Sequence, residues 1–312
     1  MESRRAMRAL SAAFIVALAA ACASQPPGPT EPAVAPDRCG GEPVFAAGGD
    51  RAMLWMRNSS EYRAAAETVY RAAEAALARG VADPGWTAEP SQVGDLSALP
   101  PAVVMDIDET VLDNSEPQVQ MLLAGACFDE FPAAWDDWIA KRRSPAVPGA
   151  VEFVRAARAM SDLSGRPVHV LFITNRECAR RSGSENACPQ QDDTLANLVA
   201  VGLDVPTLAD DILMKGERPE WDAEKLSRRQ EVARRYRIVL NIGDDLADFL
   251  PGVRRSSVAE RDNARCEQDA YWGRRWFALP NPIYGSWLVA LGPSLDAALA
   301  AEPGVLKGCP DR

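Results

Sequence analysis

Two aspartates one residue apart, Asp106 and Asp108, follow directly on the apolar run 102–105, and Thr110 comes two residues later. A buried strand ending in Asp-x-Asp sets two carboxylates at the carboxyl edge of a sheet, where open α/β sheets bind ligands. Two carboxylates that close can hold a divalent cation and divide nucleophile and acid roles between them. Alone, an Asp-x-Asp reads most simply as a strand followed by an acidic turn. Here three more polar groups stand at the ends of apolar runs. They are Thr174-Asn175-Arg176, a stretch carrying Lys215 and Lys225, and Gly243-Asp244-Asp245 with Asp248 three residues on.

These groups need a sheet to bring them together. Short apolar runs predict strands over 102–106, 168–174, 211–214 and 238–242, with a further one over 275–279. Helical segments are expected over 148–160, 192–201, 222–236 and 246–250. Pro148 suits a first helical turn and Gly202 a helix end. This alternation implies an α/β fold, a Rossmann-like parallel sheet with helices on both faces. Ahead of it, Trp55, Tyr62, Val69, Tyr70 and Leu77 recur at helical spacing and predict one long packing helix over 52–78. A segment with Trp135 and Trp138 interrupts the alternation after the first strand. It is expected to be a small cap insert, about 115–147. Both tryptophans, and Tyr284 further on, read equally as core aromatics.

Composition narrows the chemistry. The chain has 312 residues, 47% apolar and 25% charged, with a formal net charge of -10. No excess of Lys and Arg exists to neutralise a nucleic-acid backbone, so a nucleic-acid polymer is not an expected partner. The single histidine, His169, lies in the apolar run PVHVLFIT and reads as a packed strand residue. One histidine excludes two-histidine phosphatase chemistry, a zincin helix and a His-rich metal site. Neither a G-x-S-x-G elbow nor a Cys-x5-Arg phosphate loop is present.

Residues 1–21 read as an export signal, with Arg4, Arg5 and Arg8 ahead of a short apolar stretch. It ends in Leu-Ala-Ala-Ala-Cys22, similar to a bacterial lipoprotein cleavage box with Cys22 as the lipidated residue. Ordinary cleavage after Ala21 or Ala23 is the alternative, leaving a soluble periplasmic or secreted protein. The Pro-rich segment within 22–44 reads as a tether, and 45–312 as the folded domain. If Cys22 carries lipid, six of the seven cysteines remain, an even number in an oxidising compartment. Cys178 and Cys188 close a short polar loop and are the expected disulfide.

MDIDETVLDNS (105–115), ITNR (173–176) and YRIVLNIGDDLADF (236–249), with a lysine between the last two, resemble the ordered motifs of the haloacid dehalogenase superfamily. LWMRNSSEYRAAAETVYRAA (54–73), SPAVPGAVEF (144–153) and LPNPIYGSW (279–287) narrow the resemblance to the class C bacterial acid phosphatases, over roughly 54–288. It implies Asp106 as nucleophile, Asp108 as proton carrier, and Thr174 and a lysine on the phosphoryl group. Lys225, in a K-x-x-R pattern with Arg228, fits better than Lys215. It further implies Mg²⁺ held by Asp106, the Asp108 carbonyl and Asp244, with Asp248 behind them. Asn175, Arg176 and Tyr284 would meet substrate, although Asn175, Asp113 and Asn114 also suit plain loop-shaping roles. The implied substrate is a small phosphomonoester, with nucleoside monophosphates among the candidates. The implied location is the outer membrane through a lipid anchor, and a homodimer is compatible with the resemblance. SEPQVQMLL, just after Asn114, lacks the aromatic that family members place against a base. Phosphotransfer to an alcohol through the same intermediate, and a non-catalytic ligand-binding lipoprotein, are the competing readings.

Overall fold

All residues of β1 (Pro101–Met105) and β4 (Arg237–Gly243) are buried, as expected of strands covered on both faces. The computed structural model describes residues 49–126, 131–203, 211–292, 295–300 and 309. Cys22, Cys39, Cys127, the export signal and the tether therefore lie outside the described residues. β2 (His169–Glu177), β3 (Ile212–Lys215) and β5 (Trp276–Ala278) complete a five-stranded sheet in the order β3-β2-β1-β4-β5. Every pairing is parallel. β1 is central; the chain runs from it to β2 and β3 on one side, then crosses back to β4 and β5 on the other. The crevice outside the carboxyl ends of β1 and β4 is thus the place where such a sheet takes ligands.

Strand alternation divides the core between two faces. Val103, Met105, Val170 and Phe172 pack with residues of α2 (Ser60–Ala82), α5 (Ala150–Ala159) and α6 (Pro189–Ala200). Ala102, Val104, Leu171 and Ile173 face the other way, toward Val232 of α7 (Leu226–Arg235), Phe249 and Trp276. Full burial of a side chain such as Phe172 contributes about 2 kcal/mol. The insert after β1 holds α3 (Ser115–Ala124) and α4 (Phe131–Lys141). α3 packs against α1 (Gly49–Asn58), and α4 against α6. α8 (Val258–Glu267) lies between β4 and β5, and α9 (Ser286–Ala290) and α10 (Leu295–Ala300) follow β5.

Several boundaries differ from the sequence expectation. The long helix over 52–78 is two helices, α1 and α2, broken at Ser59. Ser59 is extended (φ -84°, ψ 141°) and accepts the Tyr62 N–H at 3.0 Å, an N-cap worth about 1 kcal/mol. α5 begins after Pro148, because Gly149 turns the chain at φ +88° with Tyr70 and Glu67 pressed against it. The helix expected over 222–236 starts only at Leu226, which leaves Lys225 on a loop. The segment 246–250 is a single 3-10 turn, Leu246–Asp248. His169 lies on β2 beside the Tyr236 ring, 4.7 Å between centroids. Cys178 and Cys188 are disulfide-bonded, and a second bridge joins Cys266 to Cys309. No helix among the described residues is long and apolar enough to cross a membrane.

Candidate active site

Asp106 follows β1 directly, and its N–H donates to the Ile242 carbonyl of β4 at 2.9 Å. That bond fixes the carboxylate at the mouth of the β1/β4 crevice. Lys225 Nζ lies 2.5 Å from Asp106 Oδ1 and 2.6 Å from Asp248 Oδ1. Asp244, one residue past β4, accepts from Thr110 Oγ1 and Asn281 Nδ2, each at 2.9 Å. One oxygen each from Asp106, Asp244 and Asp248 lie within 4.8 Å of one another.

Local sequence explains how Asp248 comes so close. Gly243 lies under its carboxylate, and a Cβ there would overlap it. Asp248 Oδ2 accepts the N–H groups of Asp244 (3.1 Å) and Asp245 (2.9 Å), so it shapes the turn after β4 as well as facing Lys225. Asp245 caps the 3-10 turn through the Ala247 N–H at 2.8 Å. It also accepts from the N–H and hydroxyl of Ser286, which ties the 281–286 loop to the site.

Three carboxylates against one ammonium leave excess negative charge in a dry place. Burial, partly offset by Lys225, pushes the Asp106 carboxyl up to about 7. Burial and then the neighbouring Asp248 and Asp106 push Asp244 well above the ordinary carboxylate range. Burial opposes the charge on Lys225, but Asp106 and Asp248 outweigh it and raise its pKa. A set of hard oxygens, short of positive charge, fits a divalent cation of the magnesium type.

Asp108 occupies a separate environment. Arg176 forks onto it, with Nη2 and Nε 2.8 and 3.0 Å from Oδ1, while Arg176 Nη1 donates to Thr194 Oγ1 at 3.0 Å. Asn114 Nδ2 donates to Asp108 Oδ1 at 2.9 Å, and Thr174 Oγ1 lies 3.4 Å from Oδ2. The Arg176 guanidinium is therefore committed to Asp108 and Thr194, and a direct substrate contact would have to break that pair. Asn175 is also engaged. It donates to the Ala223 carbonyl at 3.1 Å and accepts from Arg228 Nη2 at 2.8 Å. Arg228 in turn donates to the carbonyls of Thr174 and Asp222. Asn175 and Arg228 thus fasten the loop that delivers Lys225 onto the end of β2. Lys225 is 5% exposed, whereas Lys215 is 35% exposed and pairs with Glu177, at 3.5 Å.

Glu109 is a site residue that sequence reasoning did not single out, and Asn114, read there as loop-shaping, joins it at the site. Glu109 is fully buried in a left-handed conformation (φ 55°). Its carboxylate accepts the Asn114 N–H at 2.8 Å and the hydroxyl of Tyr284. Burial pushes its pKa well above the ordinary range. Tyr284 is thus anchored through its hydroxyl, and its ring is only partly buried. Of the two insert tryptophans, Trp138 is buried and donates to Asn114, while Trp135 stacks on Phe131 at 5.7 Å.

A family profile described as the HAD superfamily, subfamily IIIB (acid phosphatase), matches residues 48–287. The chain belongs to that family. The crystal structure of the class C acid phosphatase from Bacillus anthracis with tungstate bound is similar to it, with a TM-score of 0.62 and 30% identity over 80% of this chain and 92% of that one. A second structure of the class C acid phosphatase from Bacillus anthracis gives 0.62 and 29%, over 81% and 93%. The protein is accordingly a class C acid phosphatase of the haloacid dehalogenase superfamily. In this acid phosphatase the matched stretch runs through all the groups placed at the crevice, from Asp106 and Asp108 to Asp244 and Tyr284.

Proposed function

We propose that this acid phosphatase hydrolyses small phosphate monoesters through a phosphoryl-aspartate on Asp106. The observation that supports it best is the separation of the two carboxylates. Asp106 stands against Lys225 and two further acids, while Asp108 stands among Arg176, Asn114 and Thr174. Two environments suit two jobs. An Asp106 oxygen attacks phosphorus and the bond from phosphorus to the ester oxygen breaks. Asp108 delivers a proton to that oxygen, so the alcohol leaves neutral. Water then attacks the phosphoryl-aspartate while Asp108 takes its proton back, and phosphate departs. Thr174 and Lys225 hold the phosphoryl oxygens, whose negative charge must be met throughout. Asp106, Asp244 and the Asp108 carbonyl would hold Mg²⁺, with Asp248 supporting them. When bound, the cation cancels the repulsion between a carboxylate and a phosphate dianion.

Tyr284, whose hydroxyl Glu109 holds, would stack on a ring of the leaving group, and nucleoside monophosphates are accordingly one proposed substrate class. We further propose export with lipidation of Cys22, checked by whether Cys22→Ser releases the protein from membranes. The test of the function is a phosphomonoester panel with mature protein, in magnesium and in chelator. Phosphate release that needs magnesium is expected. No release from any ester would overturn the reading. Adding an alcohol acceptor separates hydrolysis from phosphotransfer, because transfer raises alcohol release above phosphate release.

A further inference from the structure

The Asn114 side chain lies wholly buried between the cap insert and Asp108. Its Oδ1 accepts two hydrogen bonds, from Trp138 Nε1 at 2.9 Å and from Ser144 Oγ at 2.8 Å. Its Nδ2 faces only acceptors, namely Asp108 Oδ1 at 2.9 Å, the Leu112 carbonyl at 3.2 Å and Glu109 Oε2 at 3.4 Å. An indole N–H can donate but never accept, so it forces the amide carbonyl toward Trp138. The NH₂ group must then point at Asp108. The reverse orientation would set two donors against each other and leave Asp108 facing a carbonyl.

Trp138 is itself held. It is 1% exposed on α4, and the Arg143 guanidinium lies over its ring at 5.2 Å. Ser144 is fixed by Asn197 of α6, which accepts the Ser144 N–H at 2.9 Å and donates to the Ser144 carbonyl at 2.8 Å. α4 is further fastened through Asp136, which Arg181 of the disulfide loop and Gln190 of α6 meet. Among the described residues, no hydrogen bond or ion pair joins Trp138, Ser144 or Asn197 to Asp106, Asp244 or Asp248.

We propose that Asn114 and Trp138 are positioning residues for proton transfer, the cap insert using the indole N–H to set the Asn114 amide and the amide to hold the Asp108 carboxyl toward the leaving oxygen. Arg176 holds the same carboxyl from β2, so Asp108 is braced from two independent elements. Freeing one brace leaves Asp108 present but able to rotate away from the ester oxygen. The proposal rests on the reading of Asp108 as the proton carrier.

The consequence is selective for leaving group. An alkyl ester leaves as a strongly basic alkoxide unless it is protonated, whereas a nitrophenolate leaves without help. A change that disturbs only proton delivery therefore slows alkyl phosphates more than p-nitrophenyl phosphate. A change that disturbs the nucleophile, the metal or the fold slows both alike. The comparison must use kcat/KM, which covers formation of the phosphoryl-aspartate, because hydrolysis of that common intermediate is the same for all esters.

The experiment is kcat/KM for an alkyl phosphate and for p-nitrophenyl phosphate in wild type, Trp138→Phe, Ser144→Ala and Asp108→Asn. Trp138→Phe keeps an aromatic ring but removes the indole N–H together with the pyrrole half of the side chain, and the aryl ester rate controls for the packing lost with it. We expect it to lower kcat/KM about tenfold on the alkyl ester and less than about threefold on the aryl ester, within the 10²–10⁴-fold ceiling of proton-transfer catalysis. Ser144→Ala should show the same preference, more weakly. Equal losses on both esters, or none on either, would overturn the proposal while Asp108→Asn still discriminates between them. If Asp108→Asn does not discriminate, the reading of Asp108 as proton carrier fails first, and this inference fails with it. The aryl rate reports folding in every variant.

Discussion

The metal-free enzyme should be more stable at pH 5 than at pH 8, and Asp106 is one of the groups responsible. Its carboxyl moves from an ordinary 3.8 to about 7 on folding, chiefly through burial. A carboxyl raised in the folded state makes the folded protein hold more protons than the unfolded one. The associated stability is full below the unfolded value and is lost as pH rises through the folded value. With these two values, Asp106 alone removes about 2.5 kcal/mol between pH 5 and pH 8. Asp244 and Glu109, both raised chiefly by burial, act in the same direction, so the Asp106 share is isolated by the Asp106→Asn comparison. Carboxyls held low, such as Asp245 and Asp136, are ionised throughout this window and contribute no slope. For a chain of this size, 2.5 kcal/mol corresponds to roughly 5–10 °C in Tm. The assay is thermal or denaturant unfolding in chelator at the two pH values, with Asp106→Asn beside wild type. The variant removes the ionisable group, so its slope should shrink by about that amount. Magnesium at about 100 times its Kd adds about 2.7 kcal/mol wherever the site is ionised and should cancel most of the pH 8 deficit. A metal-free wild type as stable at pH 8 as at pH 5, or an unchanged slope in Asp106→Asn, would refute the picture of an overcharged acid cluster.

Lys225→Met should lower kcat/KM at least about a hundredfold, whereas Lys215→Met should stay within about twofold, because only Lys225 touches Asp106; steady-state kinetics on one aryl ester decides it. Gly243→Ala should weaken magnesium binding about tenfold or more, measured by calorimetry, because the added methyl overlaps Asp248 and pushes it off Lys225. Asp245→Asn should raise KM for bulky esters more than it lowers kcat. It loosens the Ser286 tie that holds the loop carrying Tyr284, and aryl and alkyl esters compared side by side give the measurement.

The strands were legible because parallel strands buried on both faces leave near-continuous apolar runs. 102–105 and 238–242 are such runs, and the polar residues that end them are the site. From sequence Asp245 reads either as a group behind the metal ligands or as a helix-start carboxylate, and in the structure it caps the turn after β4. The break at Ser59 was hidden because apolar spacing continues across it, although Asn58-Ser59-Ser60-Glu61 carries a capping composition. The roles of Arg176 and Asn175 were not legible for another reason. Strand-end position says that a side chain is near the crevice, not whether it faces substrate or braces a neighbour. The contacts of Glu109 with Tyr284 and of Asn114 with Trp138 escape sequence reading because the partners are distant in sequence. Tyr284 is 175 residues from Glu109, and Trp138 is 24 from Asn114. The Cys266–Cys309 bridge spans 43 residues and has no local spacing signal.

The central claim is that Asp106 becomes phosphorylated. The most direct measurement is acid quenching during turnover of a ³²P-labelled monoester, followed by peptide mapping of the label. The account predicts an acid-stable, hydroxylamine-sensitive label on the peptide holding Asp106, retained in Lys215→Met and absent in Asp106→Asn. Turnover at wild-type rate by Asp106→Asn, or label carried on another residue, would contradict it.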